Sequence, residues 1–280
     1  MSKGIFYLLF GTIAWGLVWF PYRILDNFGI SGIHSSLFSF TFALIPALFF
    51  YRLDNFSCLK NKFFWIYAFI GGITNLSYVL AVIEGDLIRV MLLFFLSPIW
   101  TILFSYLLLK EIIYTKNYVA ASLSLIGAFI VLWDSDLFLS SFSQSDFFAL
   151  LAGLGFALTN VLARYFKNIS VKEKSYAIWI GVVVTAIIIS IYFNLNFNFQ
   201  LIQVNSLLIL FFLGLTLLIT TIVVQLGLTL IQSVRASPIF LFEIVVAGVS
   251  AYYLANETLG LQDFTGGVFI IAGVLISTRD

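Results

Sequence analysis

Apolar residues run along this chain in ten long blocks separated by short polar breaks, without the alternation of a half-exposed strand or the stripe of a surface helix. Cut where charges, Asn and Gly cluster, the blocks fall at about 4–22, 32–51, 63–83, 87–109 and 117–133, then 146–165, 175–193, 205–231, 234–255 and 261–278. A membrane-spanning helix needs about 20 apolar residues. Each block therefore predicts one span. The first follows only Lys3 and leads into Pro21 and Arg23 without a small-residue cleavage site, so it reads as a retained helix and not a signal peptide.

The basic residues orient the spans, because cytoplasmic connections hold the excess of Lys and Arg. With the N-terminus inside, 12 of the 14 fall on the inner side and only Arg23 and Arg89 lie outside. Both termini are then cytoplasmic. The chain also repeats itself. An offset of 146 pairs Arg89 with Arg235, Glu111 with Glu257, Ala120 with Gly266 and Gly127 with Gly273, and a weaker offset of 142 pairs Gly11 with Gly153. A unit of five spans is odd, so the two copies enter the membrane from opposite sides. The expected fold is an all-α integral membrane protein of ten transmembrane helices, built as two inverted-topology five-helix repeats, residues 1–140 and 141–280.

Composition narrows the function. Of 280 residues 62% are hydrophobic and 10% charged, with a mean hydropathy of +1.10, against about 25% charged in soluble domains. Ten spans leave no room for a soluble domain. The net charge of +1 provides no face for nucleic acid. One Cys, Cys58, and one His, His34, leave too few ligands for a zinc or iron–sulfur site, so no cofactor is expected. Phosphate-loop, GxSxG and HExxH patterns are missing, which argues against ATP as direct energy source and against an intramembrane enzyme.

Polar residues at membrane depth are the candidates for chemistry. Glu243, near the centre of span nine, would cost roughly 2.5 to 3.5 kcal/mol facing lipid, so it must face protein or water. It is the candidate ammonium counter-ion or proton carrier, the competing reading being a structural, protonated acid. Trp15 and Trp19, on one face of span one with Gly11 and Tyr22, fit either an aromatic wall for an organic substrate or an interfacial anchor. Asn75 and Tyr78 on span three, Asn160 on span six and Gln225 on span eight offer donors and acceptors for a polar metabolite, or else interhelical hydrogen bonds. Glu84, Asp86 and Arg89 cluster in the outer turn between spans three and four, and Arg235 sits at the inner turn before span nine. These four are gate candidates, or surface charges. Ser97, Thr101 and Ser105 are expected to bond back to their own helix. All four prolines, Pro21, Pro46, Pro98 and Pro238, favour kinks.

The opening FGTIAWGLVW, the stretch YVLAVIEGDLIRVMLLFFLSPIWTILFSYLLLKE and its echo LTLIQSVRASPIFLFEIVVAGVSAYYLANETL resemble the drug/metabolite transporter superfamily, and within it the ten-helix EamA-type permeases. The resemblance covers essentially the whole chain. It implies that spans one to four and six to nine line a central cavity, with five and ten at the periphery, and it associates the chain with export of amino acids, drugs or other metabolites. Ser97 before Pro98 departs from the aromatic residue that the resemblance implies for aromatic-amino-acid exporters. The resulting expectation is a secondary transporter of the bacterial cytoplasmic (inner) membrane, multi-pass. It would export a small polar metabolite such as an amino acid by alternating access, with proton coupling through Glu243. Its partners are the small-molecule substrate and the lipid bilayer, as a monomer or homodimer. The alternatives are an importer of a cofactor or nucleotide-like metabolite, and a non-transporting scaffold or sensor.

Overall fold

The computed structural model describes residues 2–53, 56–133, 141–195, 203–256 and 258–279, apart from the side chains of residues 56, 83 and 84. Nine helices among them are long and apolar enough to cross a membrane, and a shorter apolar helix, Thr115–Val131, makes ten. In chain order they are α1 (Lys3–Asn27), α2 (Gly32–Phe50), α3 (Lys62–Glu84), α4 (Leu87–Phe94) with α5 (Ser97–Phe104), α6 (Thr115–Val131), α7 (Gln144–Tyr165), α8 (Val171–Tyr192), α9 (Val204–Leu230), α10 (Ser233–Phe240) with α11 (Phe242–Ala255), and α12 (Leu261–Thr278).

Helices begin where a side chain satisfies backbone N–H groups that the first turn leaves open. Asn61 caps α3 and Asp86 caps α4, while Ser143 with Asp146 and Ser170 with Glu173 form capping boxes at α7 and α8. The Ser170 box explains why α8 starts before the predicted boundary at 175. Its polar first turn is helical, and buried Lys174 donates from Nζ to the Ala163 carbonyl at 2.6 Å. Likewise α1 continues through Pro21 to Asn27, past its predicted end at 22.

Spans four and nine, read from sequence as single helices, are each broken. The repeat offset of 146 carries Phe94, the last residue of α4, onto Phe240, the last residue of α10. Proline weakens both helices, at positions that are not equivalent. Pro98, in the first turn of α5, cannot donate to the Phe94 carbonyl. Pro238 cannot donate to the Val234 carbonyl, and Ser237 Oγ donates there instead at 3.2 Å. The same offset relates two left-handed residues, Lys110 (φ 51°) and Asn256 (φ 56°), that close the two spans.

One bundle is formed by α1, α2, α9 and the broken span α10–α11, and a second by α3, α4–α5, α7 and α8. Packing of α2 on α8 joins them. To the side, α6 and α12 pair through the small residues singled out in the sequence. A Cβ added to Gly127 would stand 2.5 Å from the Gly266 carbonyl oxygen, and one on Gly273 2.7 Å from that of Ala120, so two antiparallel backbones touch. Phe6, Phe49, Phe69, Phe212 and Val268, each more than half exposed, form the kind of apolar exterior that acyl chains cover.

Candidate functional site

Away from the α2–α8 seam, the two bundles meet along one half of their length and part along the other. α5 packs on α10, and α7 on α9 and α10, while α4 and α11, the other halves of the broken spans, make no comparable contact. The closed half is the one the charge count assigns to the cytoplasm, and it is called the inner half below. There Gln225 Nε2 of α9 donates to the Tyr67 hydroxyl of α3 at 2.8 Å, a buried bond from one bundle to the other.

Aromatic rings form the next layer outward. Phe156 of α7 lies 5.9 Å from Trp15 and 5.2 Å from Phe240, both on the opposite bundle, and 5.5 Å from Phe94. Tyr78 continues the layer at 5.1 Å from Phe94. Both repeat-equivalent phenylalanines at the helix breaks thus end on one ring. The backbone permits this because Gly153 has no Cβ, which would stand 2.6 Å from the Phe94 carbonyl oxygen. Contacts of this kind are worth about 0.5 to 1.5 kcal/mol each beyond the area they bury.

Glu243 stands in the first turn of α11, one turn outward of Phe240. It remains half-buried although it lies at mid-span, so it faces the side where the bundles part. Its carboxyl is within electrostatic reach of the Tyr78 phenol on the opposite bundle. Among the described residues it makes no hydrogen bond or ion pair. Unpaired acid at such depth is costly unless water, a proton or a cationic group reaches it.

The other sequence candidates divide by depth. On the outer side, Trp19 Nε1 donates to Ser250 Oγ at 2.9 Å, tying α1 to α11. Tyr78 donates to Met91 Sδ at 3.3 Å. Asn75 borders a void of about 10 Å³ with Ile33, Ser36 and Thr185, space for no more than one water. Asn160 and Gln225 are buried in the inner half, below the aromatic layer, and do not join Glu243. Thr101 bonds back to Ser97 at 2.9 Å as expected, whereas Ser105 Oγ is buried without a partner.

The gate candidates separate as well. Arg89 Nε pairs with Asp146 at 2.7 Å, an acid the sequence reading passed over, and Asp86 accepts the Arg89 backbone N–H at 3.0 Å. The Glu84 side chain lies outside the described residues. Arg235 donates to the carbonyls of Ser277, Thr278 and Arg279 at the end of α12. His34 Nδ1 bonds to Ser31 Oγ at 2.8 Å. Sequence reasoning missed Phe94, Phe156 and Phe240, although the repeat offset already pairs the first with the last.

Known proteins agree with this architecture. The family model described as the EamA-like transporter family matches residues 2–133 and again 143–279. An "Uncharacterized transporter" of Archaeoglobus fulgidus is 28% identical over 218 residues, covering 74% of this chain and 73% of that protein. A protein of known crystal structure superposes with a TM-score of 0.80 over 99% of this chain and 98% of its own, at 14% identity, a likeness of fold. With two family matches spanning nearly its full length, the chain belongs to the EamA-like transporter family: it is a multi-pass membrane transporter of small molecules and not an enzyme.

Proposed function

We propose that this transporter exports a small polar metabolite bearing an amine, such as an amino acid or related compound, across the bacterial inner membrane by alternating access. Glu243 would hold the substrate ammonium and a proton in turn. The observation that carries this reading is the Glu243 carboxyl itself, unpaired at mid-span, above a layer of aromatic rings and facing the opening between the bundles. A cation on such a carboxyl is stabilised by charge and by neighbouring ring faces. Exchange of the ammonium for a proton then couples flux to the proton gradient without any further charged group.

The split of the polar candidates by depth fits the same cycle. Asn75, Tyr78, Trp15 and Trp19 would line the site when it faces out, and Asn160 and Gln225 when it faces in. Closure of one half and opening of the other would be rigid-body rocking of the two bundles, each built from helices of both five-helix units, 1–140 and 141–280, about the aromatic layer. One chain holds both units, so a monomer suffices. Import of a nucleotide-like metabolite finds no support, because no Lys or Arg occupies the centre of a span to hold phosphate.

The test is to express the wild type and Glu243→Gln at matched membrane levels and compare metabolites in cells and medium by mass spectrometry against an empty vector. A compound lost from cells and gained in medium only with the wild type is the expected result. The same redistribution in both strains would remove Glu243 from the mechanism.

A further inference from the structure

The inner end carries a charged arrangement that the substrate site does not use. Glu111 follows the left-handed Lys110 that closes span four, and its carboxyl lies 3.0 Å from Nε of Arg164 at the end of α7. Both residues belong to the bundle of α3, α4–α5, α7 and α8, yet both reach the other one. Arg164 Nη1 donates to the carbonyl of Ile231 and, at 3.5 Å, to that of Leu228, groups left without helical partners where α9 ends. The Glu111 carboxyl faces the backbone N–H groups of Ser233 and Val234, the first turn of α10, without completing a hydrogen bond to them. A cation thus meets the C-terminal carbonyls of one helix and an anion the N-terminal amides of the next, on either side of a single turn. The Glu111 side chain is only 8% exposed, which limits screening by water.

The repeat shows what stands in the corresponding place at the outer end. At the offset of 142 Arg164 falls on Tyr22, which is uncharged and bonds at 3.5 Å to Ser36 Oγ within its own bundle. At the offset of 146 the turn Ile231–Gln232 falls on Gly85–Asp86, where Asp86 itself caps α4. Among the described residues, Tyr22 and Asp86 bond locally at the outer end, whereas Arg164 at the inner end reaches the opposite bundle.

We infer that Glu111 and Arg164 clamp the α9–α10 turn and so hold the inner ends of the two bundles together, biasing the transporter toward its outward-open form. They are positioning residues for transport, not ligands of the substrate. The inference rests on the alternating-access reading but not on the role given to Glu243. Thr221, buried one turn outward of Gln225 on the same face of α9, reports on it. In a Cys58→Ser, Thr221→Cys background, the purified protein is treated in detergent with a water-soluble maleimide and the labelling rate measured. Glu111→Gln and Arg164→Gln are expected to raise the rate about tenfold, the factor that about 1.4 kcal/mol confers on a two-state equilibrium.

Arg164→Lys, which keeps the charge but not the fork of donors, is expected to give an intermediate rate, and it carries the test if a neutral variant does not fold. Arg235→Gln, which removes a charge from the same end but binds α12 carbonyls, is expected to leave the rate unchanged. Labelling at the parent rate in folded Glu111 and Arg164 variants would overturn the clamp, as would an equal rise in Arg235→Gln. Labelling needs no substrate, so this failure is separate from any failure of the transport assay.

Discussion

Gly153 and Cys58 show how much single positions decide here. A side chain at 153 must displace the Phe94 carbonyl, with which a Cβ would overlap at 2.6 Å, and overpacking of this kind costs roughly 1 to 3 kcal/mol. Gly153→Val is therefore expected to lower the melting temperature of the detergent-solubilised protein by several degrees, and an unshifted melting curve would show that α7 does not depend on this approach. Cys58 lies outside the spans and is 3% exposed. Burial, and secondarily the Glu173 carboxylate, push its thiol above the ordinary range, so the neutral form is held through neutral pH. For an acid raised by folding, the contribution to stability is full below the ordinary thiol pKa and is lost as pH rises from there through the raised value of the folded protein. Maleimide labelling of Cys58 at pH 7 should be slow in folded protein and fast in detergent-denatured protein. Equally fast labelling in both would contradict the burial.

At the scale of elements, the broken spans set the geometry of the site. Pro238→Ala returns an N–H donor to the Val234 carbonyl and releases Ser237 from that duty, which should straighten α10 onto α11. Transport is expected to slow while the melting temperature holds or rises, and an unchanged transport rate would show that the break is not used. Much of this level was readable from sequence. Ten apolar blocks, their boundaries within a few residues, and the touching stripes Ala120/Gly127 and Gly266/Gly273 all follow from hydropathy and residue size. The breaks themselves were not, because Pro98 and Pro238 signal kinks but fall on Leu-like partners, Ile244 and Leu92, when the repeats are aligned. Glu243 stood out because an acid in an apolar span has few places to go. Phe156 did not, because in a chain with 32 Phe nothing local marks the ring that faces the opposite bundle. Arg164 was hidden by the charge rule, which accounts for every inner cation alike, and Glu111 was marked only as a landmark of the repeat.

As a whole the molecule is a pair of bundles closed by buried polar and aromatic contacts on one half and open on the other. Its orientation rests on 12 of 14 basic residues. Reporter fusions should place both termini in the cytoplasm, and a C-terminal phosphatase active in the periplasm would reverse the labels of inner and outer throughout. The proposed cycle depends on flux passing through Glu243. It is tested most directly in liposomes carrying a trapped pH dye and either the wild type or Glu243→Gln, once metabolite comparison has named a transported compound. Addition of that compound should drive a dye response with the wild type and none with Glu243→Gln, although both reconstitute equally. An equal response from the two proteins would show that flux does not pass through Glu243.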